Sequence, residues 1–148
     1  MIDWQWCCLD ELTARQQYAV YAAREAVFVV EQHCVYQELD GLDLDAHHLI
    51  GWNDGNVAAY LRVLVPGVKY AEPAIGRVLT AKAFRRTGLG RQLMHTALEY
   101  VERHYPKRSV RVSAQVYLDS FYRGFGFARC SEQYLEDGIP HVEMLRPA

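Results

Sequence analysis

The sequence predicts a mixed α/β (α+β) fold in which helices pack on a mixed central sheet, and three observations carry that prediction. Apolar residues recur with a period of two in several short runs and with a period of about 3.6 in two longer ones, so strands and helices share the chain. The turn signals Asn53-Asp54-Gly55-Asn56 and Glu136-Asp137-Gly138 join neighbouring runs directly, which calls for antiparallel pairs. Between Ala74 and His104 a strand, a glycine loop and a long helix follow one another. With 148 residues, 51% of them apolar, the chain has enough material for one core and too little for two, so residues 1–148 form a single domain.

The elements follow in order. Ile2, Trp4, Trp6 and Cys8 alternate with polar neighbours and open the chain as a half-buried strand. Thr13 and Gln16 fit a capping box, and the helix they start runs to about Val30. The acidic stretch Glu38 to Asp45 fails the calcium-loop spacing and reads as a solvated connection bordering a cationic substrate. Strands at His48–Trp52 and Val57–Val65 form a hairpin, and a third strand covers Ala74–Thr80, which is β-branched and preceded by Pro73. Leu89, Leu93, Met94, Ala97, Leu98 and Val101 trace one face of a helix that ends at Tyr105-Pro106. Val110–Gln115 is a further buried strand, Tyr117–Phe127 contains a short helix, and strands at Ala128–Tyr134 and His141–Leu145 close the domain.

Charge and cysteine usage narrow the function classes. A formal net charge of −2 gives no footprint for nucleic acid, and no run reaches the length of a membrane span. The start of the chain lacks the layout of a secretion signal, so a soluble cytoplasmic protein is expected. The four cysteines, Cys7, Cys8, Cys34 and Cys130, show no ligand spacing, and His47 with His48 reads as packing and surface rather than a zinc site. No metal is expected.

The segment Arg85-Arg86-Thr87-Gly88-Leu89-Gly90 carries the functional signal. Glycine at 88 and 90 lets the backbone take φ > 0 and approach an anion, and successive N–H groups backed by a helix N-terminus suit a pyrophosphate. A purely local turn is the alternative reading of such glycines. The lysine-serine ending of a P-loop is absent, because Arg91-Gln92 follows, and the spacing of a dinucleotide fingerprint is not met.

On these residues the segment resembles the acyl-coenzyme A pyrophosphate loop of the GNAT superfamily of N-acetyltransferases, with Arg85, Gly88 and Gly90 on the motif positions. The strand Val110–Gln115 followed by Phe121-Tyr122 and Gly126-Phe127 resembles that superfamily's other recurring element. Val27–Gln32, Tyr36-Gln37, Asp40-Gly41, His48–Trp52, Ile75–Val78 and Glu136–His141 extend the resemblance to the ElaA family over nearly the whole chain. It implies the GNAT-like acyl-CoA N-acyltransferase fold, with roughly six to seven strands in a mixed, mostly antiparallel sheet and helices on both faces. It also implies transfer from acetyl-CoA, as cosubstrate, to an amine it does not identify, and it allows a homodimer. The coenzyme would contact Val78, Leu79, Thr80, Arg85, Arg86, Thr87, Gly88, Leu89, Gly90, Arg91, Gln115 and Tyr122, its pantetheine arm entering where the third strand splays from the strand at Val110–Gln115. Gln115 stands where many relatives carry Asn, and Leu118 where a small residue is usual.

The chemistry assigns candidates. Tyr122 matches the tyrosine that protonates the departing thiolate, a core aromatic being its other reading. A main-chain N–H near Leu79 would face the oxyanion. Glu31 is the catalytic base candidate, with a helix-end carboxylate as alternative, and Glu72, His141, Glu143 or a water chain are further options. Arg77, in an apolar strand, needs a partner if buried. A GNAT-fold sensor of acyl-CoA, or an interaction module without turnover, is the competing function.

Overall fold

A computed structural model describes Met1–Ala148. In chain order the elements are β1 (Asp3–Cys7), α1 (Ala14–Glu25), β2 (Ala46–Asn53), β3 (Asn56–Leu64), β4 (Ala74–Thr80), α2 (Leu89–His104), β5 (Val110–Gln115), α3 (Asp119–Arg123), β6 (Ala128–Arg129), β7 (Tyr134–Glu136) and β8 (Ile139–Arg146). The strands join in one sheet in the order β1-β2-β3-β4-β5-β8-β6, with β7 also on β8. Every pair is antiparallel except β4–β5. The sheet has eight strands rather than six to seven, because the stretch expected as one strand from Ala128 breaks in two. At the break the Ser131 hydroxyl, not a strand carbonyl, accepts the Glu143 N–H at 2.9 Å.

Local chemistry explains the connections. Asp54 and Gly55 (φ 48° and 79°) and Asp137 and Gly138 (φ 51° and 78°) take the double left-handed conformation of two-residue hairpins, which matches strand twist. Thr13 Oγ1 accepts the Gln16 N–H at 3.1 Å and Gln16 Oε1 accepts the Thr13 N–H at 2.9 Å, closing the capping box. After Glu25 the helix does not stop but widens into a π-helical turn, Ala26–Glu31. Such widened turns concentrate at functional sites. Helix α2 buries the full expected face, Leu89, Leu93, Met94, Ala97, Leu98 and Val101, with Tyr100 added, against Leu61, Val63, Val110, Val112, Val142 and Met144. Each large aliphatic side chain so buried contributes roughly 1.5–3 kcal/mol. No helix is long and apolar enough to cross a membrane.

Strands β4 and β5 pair only at Ala74–Arg111 and Ile75–Val112, and then separate. The cause lies in β4. Its register with β3 shifts between Tyr60 and Arg62, leaving Arg77 and Val78 opposite the single residue Leu61. Arg77 has φ 53°, a left-handed conformation that costs a side-chain-bearing residue about 1 kcal/mol or more. The bulge bends β4 away from β5 and opens the sheet.

The bulge is held by buried charge. Arg77 donates to Glu38 O at 2.9 Å and approaches Glu38 Oε2 and Asp40 Oδ2 at 3.4 and 3.3 Å. Arg24, fully buried, forks onto both Glu38 oxygens at 2.5 and 2.7 Å and reaches Asp43 Oδ1 at 2.7 Å. Arg62 forks onto Asp40 at 2.9 and 2.7 Å and also reaches Asp43. Within the acidic stretch Glu38 and Asp43 are therefore internal counter-charges for three arginines rather than solvated residues, while Asp40 lines the cleft. Three cations and three anions in one water-poor site neutralise each other, whereas any one alone would be expelled. Burial pushes the carboxyls of Asp40 and Asp43 up, but Arg62 and Arg24 outweigh it and hold both well below the usual range.

Arg24→Met will destabilise the fold by about 3–5 kcal/mol at pH 7, because Glu38 and Asp43 stay buried while losing the guanidinium that bridges them. In the parent Asp43 is stabilising above the carboxylate range and that stability fades as pH falls through its lowered value. In the variant the acids outnumber their remaining arginines and are relieved on protonation, so the gap narrows by pH 4. Urea denaturation at the two pH values measures it, and an unchanged gap would contradict the network.

Candidate active site

A cleft of about 870 Å³ enters the sheet where β4 and β5 part. The widened turn Ala26–Glu31 forms one wall, β4 and the 85–91 loop another, and β5, α3 and the start of β8 the far side. Of the residues the sequence points to, Glu31, Val78, Leu79, Thr80, Arg85, Arg86, Gly88, Leu89, Gly90, Arg91, Gln115 and Tyr122 all line it. Thr87 does not: its hydroxyl turns back to donate to Phe84 O at 2.6 Å, fastening the loop.

The loop has the geometry of an anion nest. Arg86 (φ 62°) and Gly88 (φ 82°) are left-handed on either side of Thr87, an alternation that turns neighbouring amides to one concave side. The N–H groups of Arg86, Thr87 and Gly88 meet no protein acceptor, and those of Leu89, Gly90 and Arg91 lie in the first turn of α2, where no intrahelical acceptor exists. Gln92, bonded to Gly88 O at 3.1 Å, begins the helical ladder. Gly90 is not left-handed as expected. A Cβ there would sit 3.4 Å from Thr80 Oγ1 and 4.0 Å from Phe121, filling the floor between loop and cleft. Arg86 and Arg91 form no ion pair with any carboxylate and leave their charge to the nest.

Arg85 is differently placed. It donates to Thr80 O at 3.0 Å and forks onto Glu31 at 3.0 and 2.9 Å, tying the widened turn to the loop. Glu31 is thereby a paired carboxylate rather than a free one. Gln115 donates to Gln32 at 3.3 Å, and the Cys34 thiol donates to Asp137 O at 3.4 Å, so two further ties cross the cleft.

Tyr122 stands in the floor, 4% exposed among Phe121 and Phe127, yet its hydroxyl has no protein partner and it lines the cleft. Burial, then the neighbouring Tyr117, push the phenol well above its ordinary value, so it stays protonated at any physiological pH. The expected N–H near Leu79 is not that of Leu79 itself, which points at β3. Ala81 N–H bonds Ala58 O at 2.9 Å, and with Tyr60 paired to Leu79 the antiparallel alternation aims Leu79 at β3 and the amides of Val78 and Thr80 at the open edge.

The candidate acids Glu72 and Glu143 do not line the cleft. Glu72 forks onto Arg111 at 2.9 and 3.4 Å, and Glu143 accepts the Tyr70 hydroxyl at 2.9 Å. His141, in contrast, lines the cleft. Sequence reasoning passed over Tyr70, Ser113 and Arg62 as cleft-lining residues. Only Arg62, a charge inside the apolar run Val57–Leu64, carried a signal that could have found it.

The sequence matches the acetyltransferase (GNAT) domain family over residues 11–146. Protein ElaA of Escherichia coli is 44% identical over 148 residues, covering 99% of this chain and 97% of that protein. Its crystal structure superposes with a TM-score of 0.92 at 43% identity, covering 99% of each chain. The crystal structure of an acyl-CoA N-acyltransferase from Pseudomonas aeruginosa superposes with a TM-score of 0.94 at 47% identity, again covering 99% of each. The chain belongs to the GNAT acetyltransferase family and, within it, to the family of ElaA. Its fold is the acyl-CoA N-acyltransferase fold, which supports acyl transfer from a coenzyme A thioester.

The two loop glycines will separate on substitution. Gly88→Ala will lose about 1 kcal/mol of stability because alanine resists the left-handed conformation. Gly90→Ala will be neutral or gain up to about 1 kcal/mol from helix propensity, the contact at 3.4 Å being ordinary. Equal losses in denaturant titrations would contradict the loop geometry.

Proposed function

We propose that this GNAT family member is an acetyl-CoA-dependent N-acetyltransferase that moves the acetyl group directly onto a primary amine of a small molecule or peptide. One observation carries the reading. Arg86 and Gly88 to Arg91, whose amides are unpaired, a free strand edge at Val78 and Thr80, and Tyr122 with its unpartnered hydroxyl all line one cleft. The nest with Arg86 and Arg91 suits a diphosphate, the open edge suits the amides of a pantetheine arm, and Tyr122 stands where that arm would end. Coenzyme A, when bound, supplies the activated acyl thioester; the protein supplies orientation, an oxyanion site and a proton.

In this scheme the amides of Val78 and Thr80 are the donors open to the thioester oxygen as negative charge gathers on it. Tyr122 donates its proton to the leaving sulfur. Burial raises the phenol, but the same apolar floor penalises a bare thiolate, so the proton affinity of the sulfur rises with it. Arg85 and Glu31 hold the loop against the widened turn. We read the partners as acetyl-CoA and the amine alone, without nucleic acid or membrane, in the cytoplasm.

A sensor that binds acyl-CoA without turnover would need the nest and the edge but not the phenol, and the free hydroxyl of Tyr122 favours the enzyme. Thiol release from acetyl-CoA over a panel of amines is the test. Amine-dependent release is expected, and Tyr122→Phe will lower kcat about 100-fold while calorimetry shows unchanged coenzyme affinity. Tight coenzyme binding by the parent with no amine-dependent release would favour the sensor.

A further inference from the structure

A primary amine arrives protonated at neutral pH and must shed a proton before or during attack, so the cleft needs a base. Four side chains were candidates. Glu72 and Glu143 lie outside the cleft wall, bound to Arg111 and to the Tyr70 and Tyr134 hydroxyls. Glu31 lines the cleft but both of its oxygens are taken by Arg85. His141 remains.

The surroundings of His141 fix its tautomer. It is 7% exposed, pairs across the sheet with Gln115, and stacks on Tyr134 with ring centres 6.0 Å apart. Its Nδ1 lies 2.7 Å from Ile139 O, and a carbonyl can only accept, so Nδ1 carries the hydrogen. In the neutral ring Nε2 is therefore bare. Glu136 Oε2 lies 3.3 Å from that nitrogen, on a side chain 45% exposed at the cleft mouth. Alternation along β5 and β8 puts Ser113, Gln115, His141 and Glu143 on one face of the sheet, the first three lining the cleft, and Val112, Ala114, Val142 and Met144 in the core.

Resting on the acetyltransferase reading above, we propose that His141 is the general base for the acceptor amine and that Glu136 is the positioning residue that stabilises its charged form. The balance closes. The ammonium first gives one proton to His141 Nε2, which passes it through Glu136 to solvent; the free amine nitrogen then bonds to the thioester carbon, the C–S bond breaks, a second nitrogen proton passes to His141 Nε2, and Tyr122 gives its proton to the sulfur. Products are the amide and the free thiol; His141 returns its proton through Glu136 to solvent, and Tyr122 recovers one. The titratable groups around the imidazole are Glu136 and Tyr134 on β7, Asp137 in the turn, Glu143 on β8 with Tyr70 against it, and Cys34 from the loop that follows the widened turn. Of these, Glu136 is the one carboxylate within 4 Å of the ring nitrogens.

The test is the pH dependence of kcat/KM for an amine that the parent enzyme turns over, alongside calorimetry with coenzyme A. His141→Gln is expected to lose about 100-fold in kcat/KM, to lose the limb that climbs with pH in the parent, and to bind coenzyme as before. His141→Ala should regain activity with added imidazole. Glu136→Gln, at an exposed position that leaves the fold alone, should move the climbing limb to lower pH, because removing the carboxylate disfavours the imidazolium. Unchanged limbs in both variants, or an activity loss that imidazole does not rescue with the limb intact, would overturn the assignment while the acetyltransferase reading stands. No amine-dependent thiol release by the parent would overturn both.

Discussion

The site depends on a backbone constraint: β4 cannot stay paired with β5 beyond Ile75. A left-handed arginine inserts an extra residue against β3, and the strand leaves its parallel neighbour. A continuous sheet would bury every amide of β4 in ladder bonds and leave nothing to read a linear substrate. The opened sheet gives a cleft whose wall is main chain, and main-chain amides bind without a rotamer to freeze. The strain at Arg77 is tolerated because its guanidinium is pinned to Glu38 and Asp40, themselves fixed by Arg24 and Arg62. Buried charge here serves shape more than stability.

Around that opening, three segments with unrelated jobs converge. The widened turn supplies Glu31 to Arg85 and Gln32 to Gln115, so the end of the first helix is fastened to both walls. The 86–91 loop gives amides and charge. The helix after β5 gives one phenol whose polar end alone is unsatisfied in an apolar floor. Polar groups left unpaired in a folded protein are destabilising unless something else meets them, and their concentration in one cleft points to a ligand.

Much of this was legible in the sequence where the signal is local. The stripe of α2, the capping box at Thr13, the Asp-Gly hairpins and the left-handed Gly88 are each fixed by residues a few positions apart, and each forms as read. What escaped depends on partners far along the chain. Arg24 meets Asp43, 19 residues on, and Arg85 meets Glu31, 54 residues away, so neither the internal role of the acidic stretch nor the pairing of Glu31 could be read from spacing. The direction of the Leu79 amide follows from register with β3, which no property of residue 79 encodes. Gly90 looked like a second left-handed position, but its glycine relates to space near Thr80 and Phe121 rather than to φ.

The central claim is that the opened edge of β4 and the nest at 86–91 hold an acyl-CoA. Titrating coenzyme A into isotopically labelled protein and following backbone amide resonances tests it most directly. The account predicts the largest shifts at the amides of Val78, Thr80 and Arg86 to Arg91, saturating together. Saturable binding with those amides unmoved, and the shifts collected on another face, would contradict it.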